Sequence, residues 1–399
     1  MTKTKVTSIE FALNWESPYA GHTDRFYFPR ISFWRDVFPG KFEEKLASLA
    51  PGEKITEHFD AGILVDPFDP KQAHKISVRQ IDRHFDGQNN MEVREGRFYP
   101  RGMILGVGTF PEDMRPCRLF DNQGSAWMVD LNHPLAGFAL TLTATITEEY
   151  PEKEERGGLC NDIAYSTTEN GPGLQASLPD RDTDFFSDNP FDRQDNNNDS
   201  QFYSTPRLVD HIDSTAIENI SSLLGRFIKP DMKVLDLMSG WSSHLPENID
   251  NLAVTGLGLN REELKANGQL SEMIIHDLNQ DPRLPFSDSE FDACICTISV
   301  EYLIEPVKIF MDVARVLKKG APFIVTFSDR WFPPKAIKIW NELHPFERTG
   351  LVVEYFRKSL KFEALSTESI RGYPRPVKDK HFPDRLYSDP VFAVWGKCI

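Results

Sequence analysis

Between Lys233 and Ser328 five apolar runs, KVLDLM, AVTGLGL, EMIIHD, FDACICTIS and APFIVTFS, recur with helical segments between them. Short runs buried on both faces read as parallel strands, and the helical segments supply the crossovers that parallel neighbours need. The pattern predicts an α/β, Rossmann-like domain over residues 203–399 with a mostly parallel sheet. In such a sheet the ligand crevice lies at the carboxyl ends of the strands, so the turns after these runs are where function is sought.

Upstream the pattern changes. Residues 1–150 hold short β-type runs (ISFW, AGILV, AWMVD, FALTLTATI) and one helical stretch, KFEEKLASLA, which predicts a mainly β domain. Between the two, residues 151–202 gather Gly, Pro, Asn and many aspartates, the chemistry of an acidic flexible linker. The spacing of Asp180, Asp182 and Asp184 suggests calcium, but Phe185 and Phe191 stand where an EF-hand loop needs Gly and Glu. A length of 399 residues with 40 % apolar residues suits two cores. The formal net charge of -15 argues against a nucleic-acid partner, which requires clustered Lys and Arg. No apolar run reaches the roughly 18 residues of a membrane span, and the opening MTKTKVTSIEFALNW lacks a signal-peptide core, so neither a membrane role nor export is expected. A cytoplasmic protein is the expectation. Five cysteines without CxxC spacing point to free, mostly structural thiols and to no metal site.

The run Lys233-Val-Leu-Asp-Leu-Met-Ser-Gly-Trp resembles the first strand and loop of class I S-adenosylmethionine (SAM)-dependent methyltransferases, of the type 11-like kind. Asp277 at the end of EMIIHD, the segment LPFSDSEFDACICTISVEYL, and ARVLKKGAPFIVTFSDR match later family segments in order. The resemblance implies SAM as cofactor. It implies that Asp236, Met238, Ser239, Gly240 and Trp241 shape the methionine end of the site, with Trp241 either lining that pocket or packed as core. It places Asp277 at the adenine amino group and Leu278 against the ring. At the end of the second strand the family carries an acid for the ribose hydroxyls, where this chain has Gly258; Asn260 or Glu262 is the expected compensation, and Gly258→Asp the expected route to tighter binding if the family geometry is kept. Methyl transfer needs alignment and exclusion of water, and a base only for hydroxyl or ammonium acceptors. His211, Glu301 and Tyr302 are the candidates, with Asp213 beside His211; the HID segment has a competing use in starting the helix that follows.

Asn132-His133-Pro134-Leu135-Ala136-Gly137, followed by FALTLTATI, resembles the closing turn and strand of SlyD-like FKBP-type peptidyl-prolyl isomerases. VFPGKFEEKLASLAPGEKI matches the strand, turn and helix of that family, while GRFYPRGMI and RLFDNQGSAWMVDLNHPLAG look like a shortened insert-in-flap region. The resemblance implies an FKBP-like α+β fold and a proline-binding pocket: Val37, Phe38 and Phe42 at its floor, Asp24 or a neighbour as its acid. Phe68, within DPFDP, stands where the family has Ala-Tyr-Gly, and Leu142 replaces the usual aromatic. Those departures weaken isomerase catalysis and leave peptide binding. Two functions follow for the chain: a methyltransferase with a peptide-binding or isomerase module, acting on a small-molecule or protein acceptor, or a peptidyl-prolyl isomerase or chaperone-type protein whose methyltransferase scaffold has lost catalysis.

Overall fold

The computed structural model describes residues 6–85, 91–151 and 158–399. The chain forms two compact units, one of Met1–Pro18 with Phe28–Asp188 and one of Tyr19–Tyr27 with Asn189–Ile399.

In the first unit β1 (Val6–Glu16) pairs antiparallel with β8 (Leu140–Tyr150), and β8 with β3 (Lys54–Phe59). Leu140, Leu142, Ala144 and Ile146 alternate inward along β8, the period-two pattern of a strand with one buried face. A short helix α1 (Phe42–Leu46) buries Phe42 against Phe11 and Phe59. Inserted between β3 and β8 is a second antiparallel sheet with a core of its own around Ile76, Leu119, Trp127 and Val129. Its strands are β4 (Ala73–Ser77), β5 (Phe98–Pro100), β6 (Pro116–Phe120) and β7 (Ala126–Asp130).

The stretch expected as a linker is folded where it is described; residues 152–157 lie outside the described residues. A helix α2 (Ile163–Thr168), capped by Asp162, buries Ile163. Just before it the backbone runs beside Val37, whose N–H donates to the Asn161 carbonyl at 2.8 Å while its carbonyl accepts from Ile163 N–H at 3.0 Å. Further on, Asp199 opens a four-residue helix α3 (Asp199–Phe202) in the second unit.

The second unit is built on five parallel strands in the order β11-β10-β9-β12-β13: β9 (Lys233–Leu237), β10 (Ala253–Gly258), β11 (Glu272–Ile275), β12 (Ala293–Thr297) and β13 (Pro322–Phe327). Their register pairs Leu237 with both Leu257 and Cys296, Gly258 with Ile275 and Thr297 with Thr326, so all five carboxyl ends open at one edge. Helix α4 (Ser214–Leu224) precedes β9, α5 (Arg261–Ala266) joins β10 to β11 and α6 (Pro306–Val316) joins β12 to β13, while α7 (Lys338–Glu342) and α8 (Pro345–Ser359) follow β13. Beyond β13 the sheet stops being parallel. The strands β14 (Phe362–Arg371) and β15 (Val391–Cys398) add antiparallel, β15 between β13 and β14. Residues 21–26 of β2 (Gly21–Ser32) then lie parallel to β14. The sheet is therefore mixed, not mostly parallel. β14 and β15 are joined without a crossover helix, and an antiparallel pair needs none. Cys294 and Cys296 are buried core residues, as their alternation on a strand predicts.

Candidate functional site

The bend after β9 is held from inside. Asp236 is fully enclosed and accepts hydrogen bonds from the Ser239 and Ser243 hydroxyls, both at 2.6 Å. Burial pushes its carboxyl up to about 6, against the pull of the two serines. Expected at the cofactor, Asp236 instead lies behind the loop and sets its shape. Met238 takes a left-handed conformation, φ +58°, which a glycine adopts without strain and a methionine does not. The Ser239 N–H donates to the Leu257 carbonyl at 2.8 Å, drawing the loop against β10. A Cβ placed on Gly258 would stand 2.2 Å from the Ser239 carbonyl oxygen. The missing ribose acid is thus a packing requirement of this chain, and Gly258→Asp cannot restore it without moving the loop.

These strand ends line a cavity of 480 Å³ in which most of the anticipated cofactor residues meet: Met238, Ser239, Gly240 and Trp241 from the loop, Gly258 and Asn260 from β10 and its exit, Asp277 and Leu278 from the exit of β11. Asp277 accepts from Asn279 N–H at 3.0 Å and from Gln280 Nε2 at 2.9 Å. Asn260 is already occupied. Its side-chain oxygen caps α5 through the Glu262 and Glu263 N–H groups, and its Nδ2 donates to the Tyr203 and Ser204 carbonyls. Glu262 pairs with Lys265 at 2.9 Å and is not part of the wall, whereas Glu263, one residue on, is. Sequence reasoning passed over Glu263; the N-cap at Asn260 followed by a helical turn was the signal that would have placed it. Trp241 lines the cavity and donates from Nε1 to the Val209 carbonyl, tying the loop to the segment 203–211 that runs over it.

Two residues of the acceptor set reach the cavity. His211 packs edge-on against Phe332, with ring centroids 5.2 Å apart, and desolvation followed by the Arg207 charge lowers its pKa, so the imidazole is neutral at pH 7. The Tyr302 hydroxyl accepts from Phe332 N–H at 2.9 Å, and burial raises its phenol far above the ordinary value. Glu301 does not join them. It is 1 % exposed, its Oε2 has no hydrogen-bond partner among the described residues, and burial pushes its carboxyl up to about 8. It sits in the interior behind Tyr302 and outside the cavity wall. Asp213 serves structure too: it caps α4 through Thr215 and Ala216 N–H and accepts from the Ser388 hydroxyl at 2.8 Å.

The wall also contains residues no motif announced. Asp199, from the acidic stretch, is gripped by Arg193 at 2.8 Å and by Lys335 at 3.0 Å, and accepts from Asn279 Nδ2 at 2.8 Å. Tyr203 and Thr297 each hold a buried hydroxyl without a hydrogen-bond partner among the described residues. The loop after β13 contributes Asp329, Arg330, Trp331 and Phe332.

The expected proline pocket divides between core and surface. Phe42 and Leu142 are 0 % exposed in the core of the first unit. Val37 and Phe68 are 53 % exposed, and Phe38 stacks on Phe33 at 5.4 Å. Asp24, expected as the pocket acid, belongs to the second unit, where it accepts from the Ser369 hydroxyl at 2.8 Å. Strand β2 is divided in sequence between the units, Gly21–Tyr27 belonging to the second and Phe28–Ser32 to the first.

Residues 238–325 match the family model of the methyltransferase domain. The second unit therefore carries a methyltransferase domain of Rossmann-like fold. Among solved structures, similarity is found to a methyltransferase candidate crystallised with the Trm112 methyltransferase activator of Haloferax volcanii (16 % identity, 46 % of this chain and 88 % of that one, TM-score 0.35). It is also found to a SAM-dependent methyltransferase from Aquifex aeolicus (16 %, 50 % and 97 %, 0.30) and one from Mesorhizobium loti (14 %, 44 % and 95 %, 0.30). No curated protein matches. None of the helices among the described residues is long and apolar enough to cross a membrane.

Proposed function

We propose that residues 203–399 bind SAM and transfer its methyl group to an acceptor held at the β12 and β13 end of the cavity. The observation that carries this reading is the convergence of Gly240, Gly258 and Asp277, from the exits of three strands, on one wall. The site fits the cofactor. Two glycines clear the floor, Asp277 offers an acceptor at the exit of β11, and Thr297 and Tyr203 belong to the same wall. When bound, the sulfonium supplies a methyl carbon already electrophilic enough to need no further activation by the protein.

The chain's own part is positioning. The segment 203–211 and the loop after β13 cover the strand ends and exclude water, and Tyr302 and Phe332, whose rings lie 6.2 Å apart at 29°, form a flat wall for the acceptor. Neutral His211 takes the proton from a hydroxyl or ammonium acceptor. Calorimetric titration with S-adenosylhomocysteine is the test: saturable heat at micromolar ligand supports the reading, and none at high micromolar ligand leaves the second unit a scaffold without cofactor.

For the first unit we propose an FKBP-like module that binds a proline-containing peptide, delivering or recruiting the acceptor. What supports it is the separate four-stranded insert between β3 and β8, in the place where the resemblance puts an insert-in-flap region. Proline-limited refolding of a reporter protein tests isomerase activity in the full chain; an unaccelerated slow phase removes it from the reading and leaves peptide binding alone.

A further inference from the structure

Three guanidinium groups line the cavity, and two of them are engaged. Arg330 Nη2 lies 2.7 Å from His381 Nε2, and Arg385 Nη1 stands 3.7 Å from Asp329 and 3.9 Å from Asp389. Arg207 differs. Its guanidinium rests on the rings of Phe202, Phe332 and Tyr203 at 4.8, 5.1 and 5.7 Å, and its only side-chain hydrogen bond among the described residues runs from Nη2 to the Phe202 carbonyl at 3.2 Å. Nη1 is buried and has no hydrogen-bond partner among the described residues. Glu263 meets the Arg207 backbone N–H at 2.7 Å and forms no ion pair with the guanidinium. A stacked, half-buried cation whose planar edge carries an unused donor is arranged for a planar anion, since a carboxylate meets such an edge with two parallel hydrogen bonds.

The structure assigns Arg207 as the carboxylate receptor of this cavity. The assignment rests on the cofactor reading above and goes beyond it by fixing where a ligand's negative charge is held. A carboxylate reaches this site from either of two sources: the amino-acid end of the cofactor, or the acceptor. The aromatic rings hold the guanidinium in place, and the lowered pKa of His211 is one consequence of the charge standing beside it.

The test uses the full chain and Arg207→Gln, with thermal midpoints to confirm that both fold. Each is titrated with S-adenosylhomocysteine, with 5′-methylthioadenosine, which lacks the amino-acid end, and with benzoate in the presence of saturating S-adenosylhomocysteine. If the cofactor is the source, the substitution weakens S-adenosylhomocysteine about tenfold or more and leaves 5′-methylthioadenosine unchanged. If the acceptor is the source, both nucleosides bind as before, while benzoate binds the wild type and not the variant. Equal weakening of both nucleosides, or no effect on any of the three ligands, overturns the assignment and leaves Arg207 as packing. Should the wild type bind neither nucleoside, the cofactor reading itself has failed, a result separate from all of these.

Discussion

At Gly258 the absence of a side chain is itself the structural requirement: the Ser239 carbonyl occupies the space a Cβ needs. Gly258→Ala therefore displaces the cofactor loop, and both the thermal midpoint and the affinity for S-adenosylhomocysteine fall; an unchanged affinity would mean that the loop gives way freely. Glu301 makes a second residue-scale prediction. Its folded-state pKa of about 8 lies above the ordinary carboxylate value, so the folded chain keeps a proton that the unfolded chain releases. Stability then falls as pH rises through that window, by at most about 1.4 kcal/mol per pH unit. Urea midpoints measured across this range decline for the wild type and flatten for Glu301→Gln; equal slopes would show that Glu301 is ionised in the fold. His22 works in the opposite sense. Burial holds its pKa down to about 3, and its Nδ1 lies 2.8 Å from the Thr367 hydroxyl. The unfolded chain takes up this proton first, so stability is present above the ordinary histidine pKa and is lost as pH falls toward the folded value. His22→Gln should remove that part of the acid sensitivity from the urea midpoints.

Short elements carry much of the site. Helix α3 has only four residues, too few to stand by propensity, and is fixed by the grip of Arg193 and Lys335 on Asp199. The Lys335 side chain is 0 % exposed and keeps Asp195 at 3.1 Å when Asp199 is removed, but Arg193, 6 % exposed, loses its one carboxylate among the described residues, so Asp199→Ala is expected to cost about 3–5 kcal/mol in urea unfolding. A loss below about 1 kcal/mol, the level of a surface pair, would show that solvent reaches Arg193. Helix α4 begins where the sequence places it, because Asp213 offers its carboxylate to the free N–H groups of the first turn. What the sequence does not say is that Arg375 and Ser388, from the connection between β14 and β15, hold the same carboxylate.

On the scale of the chain, the second unit is not continuous in sequence. Residues 21–26 pair with β14, and there Asp24 meets Ser369 while Arg25 meets Glu368 at 3.0 Å. A chain beginning at Asn189 leaves that edge of β14 open, with polar groups that were buried and bonded. It should melt below the intact protein and aggregate more readily, as light scattering during the melt would record. An equal midpoint would mean that the strand adds nothing to the second unit.

The sequence by itself determined the five parallel strands, the bend at Gly240 and the acid at Asp277. Buried runs, turn glycines and strand exits are local signals whose spacing survives in one dimension. It also named roughly a third of the residues that line the cavity, those of the loop after β9 and of the exits of β10 and β11 above all. Only the tertiary structure decided that Gly258 is packed shut, that Asp236 faces the loop's interior, that Glu301 lies outside the cavity and Asp24 in the other unit, and that Arg207 stands unpaired on three rings. Each of these depends on which distant backbone or side chain arrives at the same place, and close packing between segments far apart in the chain leaves no periodic trace along it.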